Sequence, residues 1–586
     1  MCSFMSSASK SISHRWTFLM VVGVVACSIP ASAGDKNKEG PEVKFTSLTE
    51  LVLIPTLVTD KSGAHVGGLK KEDFAVFENG SPRQIATFEE ITSDPHRLTR
   101  TVKPDEFSNT VAGGGATRRV TLIVLDLLNT SFVDQGYARK ELLKYLEQSV
   151  DRREPTGLYT LDRSGIHVVH DFTTDPGILM AALRKVRGDS SHMVDGEADL
   201  ESMTGNASPL GSDGLGAQST PTNASSAIQE EVDRIQTMVE DAVLNFQSFQ
   251  QRLAITYTLE AMQQVAQSLA GFPGRKALIW AGGGFPFSVS DNTMHLAPAG
   301  RDSLTDVLPL YERTWQLLND AQIALYPIDV KGLTSNSPGA NIAVPSDPRH
   351  PGRYTQSVNW RQMDTQATFE TFAASTGGRP YFNSNDLAKG FREAVRDSAQ
   401  YYLLGYYLDG SNTKSGWRKL AVKVKREHVE VRARTGFFVT NATVNPEVTR
   451  DNDLAAALKS PLDYTALSID ARWEPIAASQ QPGKKSLHFI LMVAPDASLV
   501  DVADSNHLMV DFLAVARTET GQQVGQVTGK KIDVHATAEQ LTSIKEKGIS
   551  YRGALDLAPG EYSVRIVVRD GLSGRIGSVA APVKVE

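Results

Sequence analysis

Cysteine is almost absent from this chain. The only two cysteines, Cys2 and Cys27, lie at the beginning of a 586-residue sequence. The chain beyond Cys27 therefore cannot form a disulfide, a thiolate metal site or a cysteine nucleophile. Because no covalent crosslink is available there, we expect packed apolar cores to stabilise its domains.

An excess of positive charge is also missing. Lysine and arginine number 60 against 67 aspartates and glutamates, which gives a net charge of −7. A general nucleic-acid binder usually carries a basic face, so this balance argues against nucleic acid as the partner. The hydrophobic fraction of 41% and the charged fraction of 22% are ordinary for a globular protein. The length suits roughly two to four domains.

No apolar run is long enough to span a bilayer. Residues 16–26 are apolar, but this run is shorter than the roughly 20 residues of a transmembrane helix. Lys10 and Arg15 precede the run, and small residues at 31–33 follow it. That pattern predicts a secretory signal peptide over residues 1–33 and no integral membrane segment in the mature chain.

The same region allows a second interpretation. Residues 24–27, Val-Val-Ala-Cys, resemble the lipobox of bacterial lipoproteins, in which case Cys27 would carry a lipid anchor. Both interpretations predict an exported protein located in the periplasm, at the cell surface or outside the cell.

Common catalytic motifs are lacking. The chain has no Gly-x-Ser-x-Gly elbow and no His-Glu-x-x-His helix, and Gly282-Gly283-Gly284 lacks the Lys-Ser/Thr of a P-loop. His167 and His170 lie three apart in a predicted strand, so we expect them to face opposite sides and not to chelate a metal together. We therefore predict a non-enzymatic protein. The alternative is a cell-envelope hydrolase acting on surface polymers, with catalytic groups that converge from distant positions.

Hydrophobic periodicity divides the rest of the chain into β and α/β parts. Residues 43–95 alternate as a β domain, and residues 118–400 alternate between strands and helices. Within the latter, residues 188–226 are rich in Gly, Ser and Asp and predict a mobile insertion. Residues 401–438 predict a β extension that contains a hairpin, and residues 461–586 predict a C-terminal, Ig-like β-sandwich. The expected fold class is α/β, a doubly wound and mostly parallel Rossmann-like sheet flanked by β-sandwich-like domains.

The most informative segment is the apolar run from Arg118, which ends at Asp126. It predicts a buried strand, and ligands of open α/β sheets bind beyond the carboxyl ends of the strands. Asn129, Thr130 and Ser131 follow at once. Oxygen atoms of this kind are ligands that a hard divalent cation prefers, so the loop is a candidate metal site.

This segment resembles the first strand and metal loop of a von Willebrand factor type A domain, where the pattern is Asp-x-Ser-x-Ser. Other segments are similar to the bacterial VWFA-related proteins typical of Acidobacteria, and together they cover about residues 43–438. They are Val66-Gly-Gly-Leu-Lys-Lys-Glu-Asp-Phe74 with Phe77-Glu-Asn-Gly80, Pro273-Gly-Arg-Lys276, and Tyr401-Tyr-Leu-Leu-Gly-Tyr406 through Val431-Arg-Ala-Arg-Thr-Gly436.

The resemblance implies a metal-ion-dependent adhesion site that this chain has partly lost. Its first loop would use Asp126, position 128 and Thr130. Its second loop would use Thr256, with Thr258 as the alternative. Its third loop has glycine at 282 where the family has aspartate, and position 128 is leucine.

Two of the five ligand positions are thus unable to coordinate a cation. Either Asn129, Ser131 or water completes a weakened Mg²⁺ site, or the site is vestigial. The resemblance further implies an adhesion or scaffold function with a protein partner. We expect that partner to bind without metal, at loops 127–132, 172–175 and 281–287.

Overall fold

The structure is a computed structural model, and it describes fourteen stretches of the chain. These are residues 51–92, 106–109, 120–148, 154–188, 234, 238, 249–290, 293–295, 304–332, 353–408, 416–439, 446–496, 499–501 and 506–586. All of them belong to one compact unit, Ser47–Glu586. The predicted signal peptide, the proposed anchor at Cys27 and residues 189–226 of the predicted insertion lie outside the described residues.

The strands are numbered here in chain order. They are β1 (Leu51–Thr59), β2 (Phe74–Glu78), β3 (Ser81–Arg83), β4 (Thr87–Thr92), β5 (Glu106–Ser108), β6 (Thr121–Asp126), β7 (Thr156–Asp162), β8 (Gly165–Thr173), β9 (Lys276–Gly282), β10 (Ser288–Ser290), β11 (Thr293–His295), β12 (Ile323–Asp329), β13 (Gln400–Tyr407), β14 (Gly416–Val424), β15 (Glu430–Arg432), β16 (Gly436–Val439), β17 (Ile469–Trp473), β18 (Ala477–Ala478), β19 (Lys485–Val493), β20 (Val500–Asp501), β21 (His507–Arg517), β22 (Gln523–His535), β23 (Ile549–Leu557), β24 (Gly560–Asp570) and β25 (Ile576–Val585).

The α-helices are numbered in the same way. They are α1 (Phe132–Gln148), α2 (Pro176–Lys185), α3 (residues 249–269), α4 (Leu304–Asp320), α5 (Arg353–Thr376), α6 (Leu387–Asp397), α7 (Pro446–Lys459) and α8 (Ala538–Lys547). No helix within the described residues is long and apolar enough to cross a membrane.

Two antiparallel sheets form the first β-rich part, and distant segments of the chain build them together. One has the order β15-β1-β13-β4 and the other β16-β14-β2-β3. Between them lies a core that includes Ile54, Phe74, Tyr402 and Leu404. The predicted hairpin within residues 401–438 is wrong, because β13 and β14 pair with β1 and β2 and lie in different sheets.

A five-stranded mixed sheet occupies the middle of the chain, with the order β12-β9-β6-β7-β8. Strands β12, β9, β6 and β7 pair in parallel, and β8 adds antiparallel to β7. The turn before β8 needs Gly165, whose φ of +108° is a conformation that other residues rarely adopt. Successive β6 residues pack into different cores, Leu122 and Val124 into one, Ile123 and Leu125 into the other.

The predicted fold class, a doubly wound and mostly parallel α/β sheet, is wrong for this chain. Within the described residues, strands make up 42% and helices 30%, and the sheets there are antiparallel apart from the mixed one. Two physical causes explain the error. The tight turn at Gly165 sends β8 back beside β7 instead of across the sheet, and the flanking strands pair with partners far away in sequence.

One strand of the C-terminal β-sandwich comes from the N-terminal part of the chain. Its sheets have the orders β18-β19-β17-β5, with β23 beside β19, and β20-β21-β24-β25, with β22 beside β21. Strand β5 thus comes from the segment that leads into the mixed sheet. Asn109, directly after β5, is buried and donates its side-chain amide to the carbonyls of Tyr464 at 2.5 Å and Leu467 at 2.7 Å.

Candidate functional site

The candidate site begins at Asp126, the last residue of β6. This strand lies inside the mixed sheet, between β9 and β7. Its carboxyl end therefore opens toward the loops that follow Asp126 and Gly282. Asp126 is nonetheless only 1% exposed, so its charge is shielded from solvent.

Three N–H groups of the protein satisfy the Asp126 carboxylate. Oδ1 accepts from the backbone amide of Asn129 at 2.9 Å. Oδ2 accepts from the side-chain amide of Asn129 and from the indole of Trp280, both at 2.9 Å. Buried carboxylates need such donors because an unpaired charge is costly away from water. Donors here occupy the oxygen atoms that a cation would need.

Burial raises the pKa of Asp126 from 3.8 to about 6. The hydrogen bonds from Asn129 and Trp280 favour the ionised form and partly offset that rise in the pKa. The carboxylate is therefore held ionised at neutral pH by amide and indole dipoles.

The structure brings Thr258 to this cluster and leaves Thr256 out. The side-chain amide of Asn129 donates to Thr258 Oγ1 at 2.9 Å, and Thr258 is fully buried. Thr256 instead donates its hydroxyl to the Arg252 carbonyl of its own helix at 2.9 Å. The prediction that Thr256 lies beside Asp126 is thus wrong, and the alternative, Thr258, takes this place. Residues two apart on a helix point in very different directions, so only one of the pair could reach the loop.

Thr130 and Ser131 are also occupied by bonds within the protein. The backbone amide of Gly283 donates to Thr130 Oγ1 at 2.8 Å, which ties the first loop to the third. Ser131 Oγ donates to the Asp134 carboxylate at 2.7 Å and accepts from the Asp134 amide at 3.3 Å. Ser131 therefore caps the first turn of α1, and its hydroxyl points toward Asp134.

The two altered positions supply no ligand for a cation. Leu128 is 0% exposed and packs into the apolar core of the mixed sheet. A Cβ at Gly282 would lie 2.9 Å from Asp126 Cβ, too close for any larger side chain without movement. Mg²⁺ requires near-octahedral oxygen coordination, so the residues present do not fit it. Within the described residues, no group of three or more His, Cys, Asp and Glu side chains could hold a metal.

Two large apolar side chains lie exposed at the start of α1, next to this closed cluster. Phe132 is 52% exposed and Val133 is 80% exposed. They are the two residues after Ser131, so they lie at the same edge of the sheet as Asp126. This edge therefore presents apolar surface to solvent where a metal site would present charge.

His167 and His170 share one face of β8, contrary to the expectation from strand alternation. Leu158 pairs with His170 and Tyr159 with Val168, so Val169 is an extra, bulged residue. The extra residue restores His170 to the side of His167. Both histidines line the same cavity.

A serine, a histidine and an aspartate meet at the turn before β8, but not as a catalytic triad. Ser164 Oγ lies 2.7 Å from His167 Nε2, and Asp162 Oδ1 lies 3.1 Å from the same nitrogen. In a triad, the acid binds the imidazole nitrogen opposite the serine. Asp162 Oδ1 also accepts from the Ser164 amide at 2.8 Å, so the trio stabilises the turn.

Trp280 is the member of the cluster that sequence reasoning missed. It lies two residues before Gly282 on β9 and faces the same core as Leu278. Trp carries one N–H donor that usually finds a partner when buried, and this could have pointed to the nearby carboxylate.

Comparisons with known proteins do not identify the chain. No protein-family model and no curated protein matches it. Among solved structures, one match is the crystal structure of three N-terminal domains of the type V pili tip protein Mfa5 from Porphyromonas gingivalis. It is 7% identical, covers 91% of this chain and 95% of that chain, and has a TM-score of 0.21. That score carries no argument about fold or function.

Proposed function

We propose that the protein is an exported, non-enzymatic binding or scaffold protein whose partner is another protein. The partner would bind at the carboxyl edge of the mixed sheet without a cation. The observation that carries this proposal is the closed Asp126 carboxylate beside the exposed pair Phe132 and Val133.

The chemistry of this edge favours apolar recognition over charge recognition. The Asp126 charge is already satisfied by three donors, so binding through a shared cation would first require those bonds to break. When a partner covers exposed aromatic and β-branched side chains, in contrast, the burial of their apolar surface favours binding. The Trp280 and Asn129 bonds hold the loop rigid, which reduces the entropic cost of binding.

Joint construction of the β-rich parts supports the scaffold part of the proposal. β1 pairs with β13, β2 with β14, and β5 with β17. Segments before the mixed sheet thus pair with segments after it, which fixes the flanking sheets without disulfides. Such a frame presents the edge beside Asp126 from a rigid support.

The test is capture of envelope proteins from the source organism on the immobilised full chain. Wild type, Val133→Asp and a control, Val448→Asp, are compared in buffer with Mg²⁺ and in buffer with EDTA. Val448 is a matched control because it is a valine 50% exposed in the first turn of another helix, α7.

We expect wild type and Val448→Asp to capture the same protein, with Mg²⁺ and with EDTA alike. Val133→Asp should no longer capture it. Capture that requires Mg²⁺, or capture unaffected by Val133→Asp, would contradict it. Turnover of esters, peptides or glycans that a single substitution in the mixed-sheet region abolishes would contradict the non-enzymatic part.

A further inference from the structure

A cavity of about 610 Å³ lies between helix α2 and β8, the edge strand of the mixed sheet. This volume lies within the range of roughly 300–1,000 Å³ that is typical of small-molecule sites. Leu127, from the loop after Asp126, also lines the cavity. The cavity uses none of the Asp126 side-chain bonds, and Leu127 places it next to the edge that carries Asp126.

One wall of the cavity is apolar. Ile178, Ala181 and Ala182 line it from α2, at the spacing that places residues on one helix face. Val169, the bulged residue of β8, lines it from the strand. Ile178 is 44% exposed although it is large and apolar, so the wall is open to solvent.

Four of the other lining residues have basic side chains. His167 and His170 lie on β8, Lys185 is the last residue of α2, and Arg187 lies two residues after it. Lys185 and Arg187 are exposed, and neither forms an ion pair with a carboxylate anywhere in the described residues. Their charges are therefore available to a ligand.

Asp162 is the single acid among the lining residues, and its carboxylate is already engaged. Its Oδ1 accepts from the amide and the hydroxyl of Ser164, at 2.8 and 2.5 Å, and lies 3.1 Å from His167. The bonds from Ser164 do not remove the charge of Asp162, but Lys185 and Arg187 outnumber this one acid, so the net charge of the lining side chains is positive. Lys185 and Arg187 would repel a cationic ligand and attract an anionic one.

We propose that this cavity binds a small amphipathic carboxylate. Its apolar body would lie on Ile178, Ala181 and Val169, and its carboxylate would bind the side chains of Lys185 and Arg187. Arginine suits this role because its planar guanidinium can donate two parallel hydrogen bonds to one carboxylate.

The test measures octanoate binding to the full chain by isothermal calorimetry at low salt. Octanol and octylamine serve as neutral and cationic ligands with the same tail, and octane-1-sulfonate tests whether another anionic head group substitutes. The double variant Lys185→Gln/Arg187→Gln removes both charges. Its matched control is Lys545→Gln/Lys547→Gln, two exposed lysines at the end of α8 in the C-terminal sandwich.

Octanoate is expected to bind wild type and the α8 control alike, and about tenfold more weakly to the Lys185/Arg187 variant, as loss of a charge-assisted hydrogen bond implies. Ala182→Trp, which fills the apolar wall, should weaken octanoate binding without changing the thermal midpoint much. Octanol binding as tightly as octanoate, or equal affinity in the Lys185/Arg187 variant, would overturn the proposal. So would octane-1-sulfonate binding more tightly than octanoate, since the site would then not select a carboxylate.

Discussion

Replacing Asn109 by alanine should loosen the C-terminal sandwich. Asn109 is buried and makes three side-chain hydrogen bonds. Two donate to the carbonyls of Tyr464 and Leu467, and the third accepts from the Ile469 amide at 2.7 Å. These bonds hold the end of β5 on the edge of β17, so alanine would free that edge.

The cost can be worked out from those contacts. A buried hydrogen bond contributes about 0.5–1.5 kcal/mol, and a buried donor left without a partner costs about 1–3 kcal/mol. The Ile469 amide is such a donor. We therefore expect Asn109→Ala to lower the unfolding free energy of the sandwich by about 3 kcal/mol.

Urea denaturation gives the global value, and hydrogen exchange at the Ile469 amide gives the local one. Exchange at Ile469 should become faster in Asn109→Ala. The matched control is Asn452→Ala, since Asn452 is exposed on α7 and its loss should stay within about 0.5 kcal/mol. An unfolding free energy unchanged in Asn109→Ala, with the Ile469 amide still protected from exchange, would show that these bonds do not stabilise the sandwich.

Three further predictions concern the Asp126 cluster. Trp280→Phe removes one of the donors to Asp126 and should cost about 1–3 kcal/mol in urea denaturation; an unchanged midpoint would mean that the indole bond contributes nothing. Burial raises the pKa of Asp126 from 3.8 to about 6 in the folded state. The protonated side chain therefore stabilises the fold below about pH 4, and this stabilisation is lost as the pH rises through 6. The loss in unfolding free energy is about 3 kcal/mol. The difference in unfolding free energy between wild type and Asp126→Asn should therefore change between pH 4 and pH 7, and a flat difference would contradict this. Gly282→Ala forces a Cβ to 2.9 Å from Asp126 Cβ and should lower the melting temperature at a cost of about 1–3 kcal/mol; a neutral effect would show that the loop shifts freely.

Local patterns in the sequence were enough to place several elements. The apolar run that ends at Asp126 corresponds to β6, and the helical spacing near Tyr137 corresponds to α1. The helix predicted from Pro176 is α2, which Pro at its first position and the Asp175 cap define. Each of these signals depends on residues within one or two turns of the chain.

Pairing between distant segments could not be predicted in this way. β1 pairs with β13, and β5 pairs with β17, partners that lie several hundred residues apart. Nothing in the periodicity of either strand specifies the other, because strands of similar apolar pattern are interchangeable locally. This limit is one of the two causes of the wrong fold class, and the turn at Gly165 is the other.

The candidate site also combines features that the sequence predicts with features that depend on the fold. Asp126 and its loop could be recognised from the strand that ends there, and Leu128 and Gly282 could be recognised as unable to coordinate. The choice between Thr256 and Thr258 depends on how α3 is rotated against the sheet, which the sequence does not specify. The bond from Trp280 depends on the parallel register of β6 and β9, which the structure supplies.

The absence of a cation at Asp126 can be tested by calorimetric titration with Mg²⁺, Mn²⁺ and Ca²⁺, on wild type and on Asp126→Ala. In the structure, N–H donors of Asn129 and Trp280 satisfy the Asp126 carboxylate in place of a cation. We expect no binding heat in either protein up to millimolar metal. Binding at millimolar or tighter affinity in wild type that disappears in Asp126→Ala would contradict it.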